Sequence, residues 1–205
     1  MCGMKKLFCM ITLLAAVVAC GAKAKSAEAE ATAETDVATE AEKAISAEGV
    51  VVADGDKAKA SHIIISKQDF TLSLYDSDDR LVCRFPVAVG KNYGNKQRSG
   101  DMKTPEGDFS IQQIQPASDW GHDFGDGKGW IPNCYGNWFI RLKTPPHRGI
   151  GIHGTHAPES IGTRATEGCI RLRNADLDSL KPLVRVGMPV AILPSDADRE
   201  ADAEQ

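Results

Sequence analysis

The 205 residues carry 24 Lys and Arg against 28 Asp and Glu, a formal charge of −4 that excludes a strongly basic nucleic-acid binder. No apolar run reaches the roughly 18 residues that a membrane-spanning helix needs. Six cysteines, at no paired zinc-ribbon spacing, exclude a disulfide scaffold.

In chain order, Lys5 and Lys6 precede an apolar stretch from Leu7 to Ala19 that suits a secretory signal over 1–19. Val17-Val18-Ala19-Cys20-Gly21 resembles a bacterial lipobox, which implies lipidation of Cys20 and a membrane anchor through an N-terminal lipid. Ordinary cleavage after Ala24 is the competing expectation. Gly21 is not the aspartate associated with inner-membrane retention, so an outer-membrane, periplasm-facing envelope location is expected. Residues 20–60 are rich in Ala, Glu, Thr and Lys, carry no aromatic residue and read as a flexible tether. Forty flexible residues would span about 35 Å on root-mean-square average.

Residues 61–194 hold almost all the aromatic side chains and a charge of +2, and form the expected folded domain. Ile63-Ile64-Ile65 opens a strand, Phe70 to Tyr75 alternates apolar and polar residues, and Asp76-Ser77-Asp78-Asp79 is turn chemistry before a returning strand, Leu81 to Val89. Further strands are expected at 107–115, 138–142, 151–153 and 185–193. One helix is expected from Asn174 to Val184, capped by Asn174 or Asp176 and shortened by Pro182. The Gly-, Asp-, Trp- and Pro-rich segment 116–146 reads as a lid or binding loop, with Trp120, Trp130, Tyr135 and Trp138 lining it or packing as a satellite core. Cys83 and Cys134 are open to pairing or to remaining free thiols. The acidic 195–205 reads as a disordered, solvated tail.

The chemistry concentrates in Ile152-His153-Gly154-Thr155-His156 and Thr166-Glu167-Gly168-Cys169-Ile170-Arg171. A thiol beside an imidazole is an activated nucleophile. Gly168 permits a tight approach that would aim backbone amides at one oxygen, and the Gly154 carbonyl is available to orient the His153 ring. A buried or disulfide-bonded Cys169 is the competing reading. A zinc site from His153, His156 and Cys169 lacks a further ligand at standard spacing. Arg171 offers a planar fork for a carboxylate or a brace for the cysteine loop. Thr155 and His156 are the remaining candidates for substrate contacts.

The His-Gly pair followed 16 positions later by Cys169 in Thr-Glu-Gly-Cys-Ile-Arg resembles the signature of the L,D-transpeptidase (YkuD-like) catalytic domain. Thr104-Pro105-Glu106-Gly107-Asp108-Phe109, Ala88-Val89-Gly90 and Val186-Gly187-Met188-Pro189-Val190 resemble further elements of that family, in the same order. The resemblance implies a mainly β sandwich with one short helix after the cysteine loop, and a peptidoglycan L,D-transpeptidase that works without metal or organic cofactor. Cys169 would be the nucleophile, His153 the base, and the Gly168 and Cys169 amides the oxyanion hole. Stem peptides of the wall would be its substrates, and hydrolysis at the same site would make it an L,D-carboxypeptidase or amidase. A catalytically silent wall-binding module is the remaining alternative. Glu167 departs from the family pattern, where many members have His.

Overall fold

The computed structural model describes residues 50–51 and 60–204; the expected signal, Cys20 and most of the tether lie outside them. The strands are β1 (Val50–Val51), β2 (Ala60–Ser66), β3 (Thr71–Asp76), β4 (Leu81–Pro86), β5 (Val89–Gly90), β6 (Gly107–Pro116), β7 (Gly121–Asp123), β8 (Trp130–Pro132), β9 (Trp138–Lys143), β10 (Gly151–His153), β11 (Arg164–Thr166), β12 (Ile170–Arg171) and β13 (Pro189–Leu193). Nine form one curled sheet in the order β1-β4-β3-β2-β13-β6-β9-β10-β12, and the others form the pairs β11-β5 and β7-β8. The fold is mainly β, as the sequence implied.

Alternation explains the first sheet half. Ile63 and Ile65 of β2 face the core, opposite Leu74 and Leu72 of β3, and all four are fully buried. The Asp76 carboxylate accepts from the N–H groups of Asp78 (2.8 Å) and Arg80 (2.9 Å), which closes the expected turn into β4. Val50 and Val51 pair with Arg84 and Cys83, so the segment expected to be all tether contributes an edge strand. The expected strand 81–89 divides after Pro86. Ala88 instead exchanges two backbone hydrogen bonds with Arg171, which carries the chain over to the site side of the sheet.

Three other expectations are corrected. The last strand begins at Pro189 rather than 185, because Gly187 turns the chain with a φ of +85°. The helix Asn174–Leu180 is capped by neither Asn174 nor Asp176, and continues as a 3-10 turn, Lys181–Leu183, at Pro182. The acidic tail is a second helix, Asp196–Ala203, opened by a capping box in which the Ser195 hydroxyl accepts from the Asp198 N–H while the Asp198 carboxylate accepts from the Ser195 N–H (2.9 Å).

Asp198 is wholly buried against Lys67 (3.0 Å) and Arg164 (2.6 Å), and Lys67 is itself fully buried, with Glu106 as its other carboxylate partner. Local composition reads these acids as solvated because their counter-ions lie far off in sequence. The Asp198 carboxylate also accepts from the Gly94 N–H (2.7 Å), and the Asp202 carboxylate accepts from the Asn95 N–H. The helix therefore fastens the loop that begins after β5. Cys83 and Cys134 are buried free thiols and do not pair.

Candidate active site

β10 and β12 run parallel, with Ile152 opposite Ile170 and His153 opposite Arg171. Cys169, one residue before β12, therefore falls opposite Gly151, on the same sheet face as His153 and diagonal to it. The register thus brings thiol and imidazole to one face of adjoining strands, with the Cys169 thiol donating to the Gly149 carbonyl (3.5 Å).

Two glycines make the approach possible. Gly168 has a φ of +127°, and a Cβ there would lie 2.7 Å from the Lys103 carbonyl oxygen. A Cβ on Gly151 would enter the Phe139 ring. The Thr166 hydroxyl donates to the Cys169 carbonyl (2.6 Å) and accepts from the Gly168 N–H (3.1 Å). That bond commits the Gly168 amide, so of the two expected oxyanion donors the Cys169 N–H remains.

His153 is 3% exposed. Its Nδ1 donates to the Gly154 carbonyl (2.6 Å), since a carbonyl can only accept, and the lone pair is left on Nε2. The ring stacks on Phe139 at 5.8 Å and meets Tyr135 edge-on at 4.9 Å. Burial lowers the imidazole pKa to about 3; the bond to Gly154 opposes this, and Arg171 and His156 reinforce it. Burial likewise raises the pKa of the half-buried Cys169 thiol, with Lys96 and Arg141 opposing and Glu167 adding. The pair rests as neutral thiol and neutral imidazole rather than as an ion pair.

Asn174 is the positioning residue that sequence reasoning treated as a helix cap. Its Oδ1 accepts from the Thr155 N–H (2.8 Å), its Nδ2 donates to the Thr155 carbonyl (3.1 Å), and the Gly154 N–H donates to the Tyr135 carbonyl (2.7 Å). The only early sign was an Asn at a helix start, which fits a cap equally well.

The other candidates separate. Thr155 is buried, and its hydroxyl accepts from the Ala157 N–H (2.8 Å), which makes it a structural turn residue. His156 is exposed and lies 5.3 Å from the Phe124 ring. Arg171 is buried, donates to the Ser160 hydroxyl (2.9 Å) and lines neither of the clefts that meet at Cys169. It shares the sheet face of His153 and Cys169, held by Ser160 outside the space that an incoming carboxylate would enter.

One cleft, of about 520 Å³, is lined by Lys96, Met102, His147, Arg148, Glu167 and Cys169 among others. A second, of about 530 Å³, is lined by Trp120, Trp130, Phe139 and Arg141 and again by Cys169. Tyr135 and Gly149 line both. The lid expected over 116–146 contains the β7-β8 hairpin, whose His122 reaches Glu167 at 3.2 Å. Tyr135, expected as a lid aromatic or a satellite core residue, lines both clefts; burial lifts its phenol to a pKa of about 12, so it remains a protonated donor there. Trp138 instead packs against the core, beneath the Lys181 ammonium at 4.3 Å.

Residues 60–192 match the profile of YkuD, the L,D-transpeptidase catalytic domain. The chain belongs to that family. The YkuD protein of Bacillus licheniformis is 36% identical over 132 residues, which cover 64% of this chain and 65% of that protein. ErfK/SrfK of Escherichia coli is 28% identical over 139 residues, or 64% of this chain and 43% of the relative. The chain thus spans less than two thirds of the length of these relatives. Among solved structures, the helical cell shape determining protein Pgp2 from Campylobacter jejuni shares the fold of the transpeptidase domain at a TM-score of 0.50 and 22% identity, over 67% of this chain and 49% of that one.

Proposed function

We propose that this chain is a peptidoglycan L,D-transpeptidase, exchanging acyl groups through Cys169 in the cell envelope. The observation that carries the reading is the meeting of two clefts at one thiol, with a neutral, Gly154-oriented imidazole on the adjoining strand. An enzyme joining two peptides needs two approaches to one nucleophile; a hydrolase needs one.

The Cys169 proton passes to His153 Nε2 as sulfur bonds the donor carbonyl carbon at the L-centre of a stem tetrapeptide. The developing oxyanion meets the Cys169 N–H and the Tyr135 hydroxyl. Collapse breaks the C–N bond, and His153 returns the proton to the departing D-alanine amine, leaving a thioester. An acceptor ammonium first loses one proton to solvent, and the free amine then forms the new C–N bond as the C–S bond breaks. Of its two lost protons, one restores the thiol and one leaves to solvent. Neutral ground states suit this cycle, because the imidazole must be free to accept at the first step. The aromatic cleft suits the donor stem and the polar one the acceptor. Lipidation at Cys20, anchoring in the outer membrane and the tether belong to the same proposal, placing the domain within reach of the wall.

The test incubates the full chain and Cys169→Ala with disaccharide-tetrapeptide and reads products by mass spectrometry. Dimers formed with loss of one D-alanine, absent in the variant, are expected. Tripeptide without dimer refutes transfer in favour of carboxypeptidase activity. Unchanged substrate refutes catalysis.

A further inference from the structure

The helix Asp196–Ala203 lines neither cleft, yet it holds two of the segments that surround the nucleophile. Asp198 and Asp202 stand four residues apart and so share one face of it. Through Asp198 the helix grips Arg164 of β11, the strand whose last residue, Thr166, orders Gly168 and Cys169. Arg164 in turn donates to the carbonyls of Gly90 (3.4 Å) and Asn92 (3.3 Å), and its guanidinium covers the Tyr93 ring at 4.0 Å. Through Asp202 the helix grips the chain that follows. Both oxygens of that carboxylate accept from the Asn95 N–H, at 3.0 and 2.9 Å, next to the bond from Gly94 to Asp198.

The residues after Asn95 form one wall of the polar cleft, which Lys96, Ser99, Gly100 and Met102 line together with Cys169. The wall is braced internally. The Asp101 carboxylate accepts from the N–H groups of Gln97, Arg98 and Lys103, and pairs with the Lys96 ammonium at 2.7 Å. At its far end the Met102 carbonyl accepts from the Asn92 N–H (3.1 Å), and the Lys103 carbonyl packs against Gly168. The Asn95 side chain joins the two ends by accepting from the Glu106 N–H (3.0 Å). A segment tied mainly to itself moves as one piece, and its near end is fixed at Asn95 by a carboxylate 107 positions along the chain.

We infer that the helix Asp196–Ala203 is a clasp for the polar cleft, and that Asp202 is a positioning residue for the transfer step. The inference rests on the transpeptidase reading and adds to it what holds that cleft in shape. Hydrolysis of the acyl-enzyme needs only a water molecule. Transfer needs a second peptide held in line with the thioester carbon, and a wall displaced by about 1 Å penalises that step selectively. Asp202 is the residue to perturb, because it is half-buried and bonded to a backbone amide, whereas Asp198 is wholly buried between two cations.

The test compares the full chain with Asp202→Ala and Asp202→Asn, supplying disaccharide-tetrapeptide as donor and acceptor at one concentration. The first readout is the ratio of cross-linked dimer to hydrolysed tripeptide, which does not depend on how much of a variant is folded. The second is amide hydrogen exchange across 96–103. Asp202→Ala should lower the ratio about tenfold, the worth of one charge-assisted hydrogen bond, and should speed exchange across 96–103. Asp202→Asn keeps an acceptor oxygen and should hold the ratio within about threefold of the unaltered chain. An unchanged ratio in Asp202→Ala, an equal fall in Asp202→Asn, or a fall without faster exchange overturns the inference and leaves acyl transfer in place. Unchanged substrate, or tripeptide alone, from the unaltered chain overturns the transpeptidase reading and the role of Asp202 in transfer with it. Exchange across 96–103 then decides the clasp by itself, and equal rates with and without the Asp202 carboxylate overturn it.

Discussion

Acidification should destabilise the domain through one buried imidazole. His153 has a folded pKa of about 3 against an ordinary value of 6.5, so between these limits the unfolded chain binds a proton that the native state refuses. The stability that comes from keeping the ring neutral is fully present above pH 6.5 and is lost as pH falls toward 3. At pH 5 the ring is about 97% protonated in the unfolded chain and almost wholly neutral when folded, which corresponds to about 2 kcal/mol of lost stability. With a urea dependence of about 2 kcal/mol per molar, the midpoint should fall by about 1 M between pH 7.5 and pH 5. His153→Gln removes the titration and should reduce that fall by the same amount. The difference between the two pH dependences isolates His153 from every other titrating group, including its near neighbours Arg171, His156 and Cys169. Parallel pH dependences in the two proteins, or an imidazole resonance titrating near 6.5, would refute the account. The same depressed pKa keeps the base unprotonated, so donor acylation should not fall as pH drops from 7 to 5 in protein that remains folded.

Gly168→Ala forces a Cβ to 2.7 Å from the Lys103 carbonyl at a φ of +127°; donor acylation should be lost, with a stability decrease of about 1–3 kcal/mol in chemical denaturation. Asn174→Ala frees the Thr155 segment and should lower acylation about 10- to 100-fold, read as release of D-alanine, with thiol alkylation by iodoacetamide retained. Asp198→Ala leaves Lys67 buried against Glu106 alone and Arg164 without its carboxylate; a loss of about 3–5 kcal/mol is expected from its urea midpoint. Peptide-level alkylation should find Cys169 labelled about tenfold faster per pH unit through the neutral range, since its thiol pKa is raised. Cys83, whose pKa burial lifts to about 12, and the buried Cys134 should stay unlabelled until denaturant is added.

What could be read in advance was whatever depends on near neighbours in sequence. Alternation gave Phe70 to Tyr75 its strand, Asp76 its turn, and the Gly154 carbonyl its bond to the adjacent imidazole. Gly168 before the nucleophile marked a close approach, and the structure supplies the atom approached, the Lys103 carbonyl. The misreadings share a cause in distance along the chain. Asp198 looked solvated because Lys67 is 131 positions away, and Asn174 looked like a cap because Thr155 is 19 positions back. Arg171 offers its guanidinium equally to a substrate carboxylate or to the cysteine loop, and the structure places it opposite His153 and against Ala88 and Ser160, outside both clefts. The Gly168 amide was counted as a free donor until Thr166 claimed it. Glu167 stood as an anomaly with no partner in view; its partner His122 comes from a hairpin whose strands are three residues each, too short for periodicity to detect.

The strand order has a consequence for when this molecule can become solid. β13 lies in the middle of the large sheet, parallel to β2 on one side and antiparallel to β6 on the other. The hairpins through β4 and the strands from β6 to β12 are separate leaves until it slides between them, and Lys67 meets Asp198 only just after that. The second leaf is complete only at β12, and 17 residues separate Arg171 from the keystone's first residue, Pro189. Closing the sheet joins strands far apart in sequence, Ile63 to Val190 and Ile65 to Ile192, and a topology so dominated by non-local pairing is expected to fold slowly.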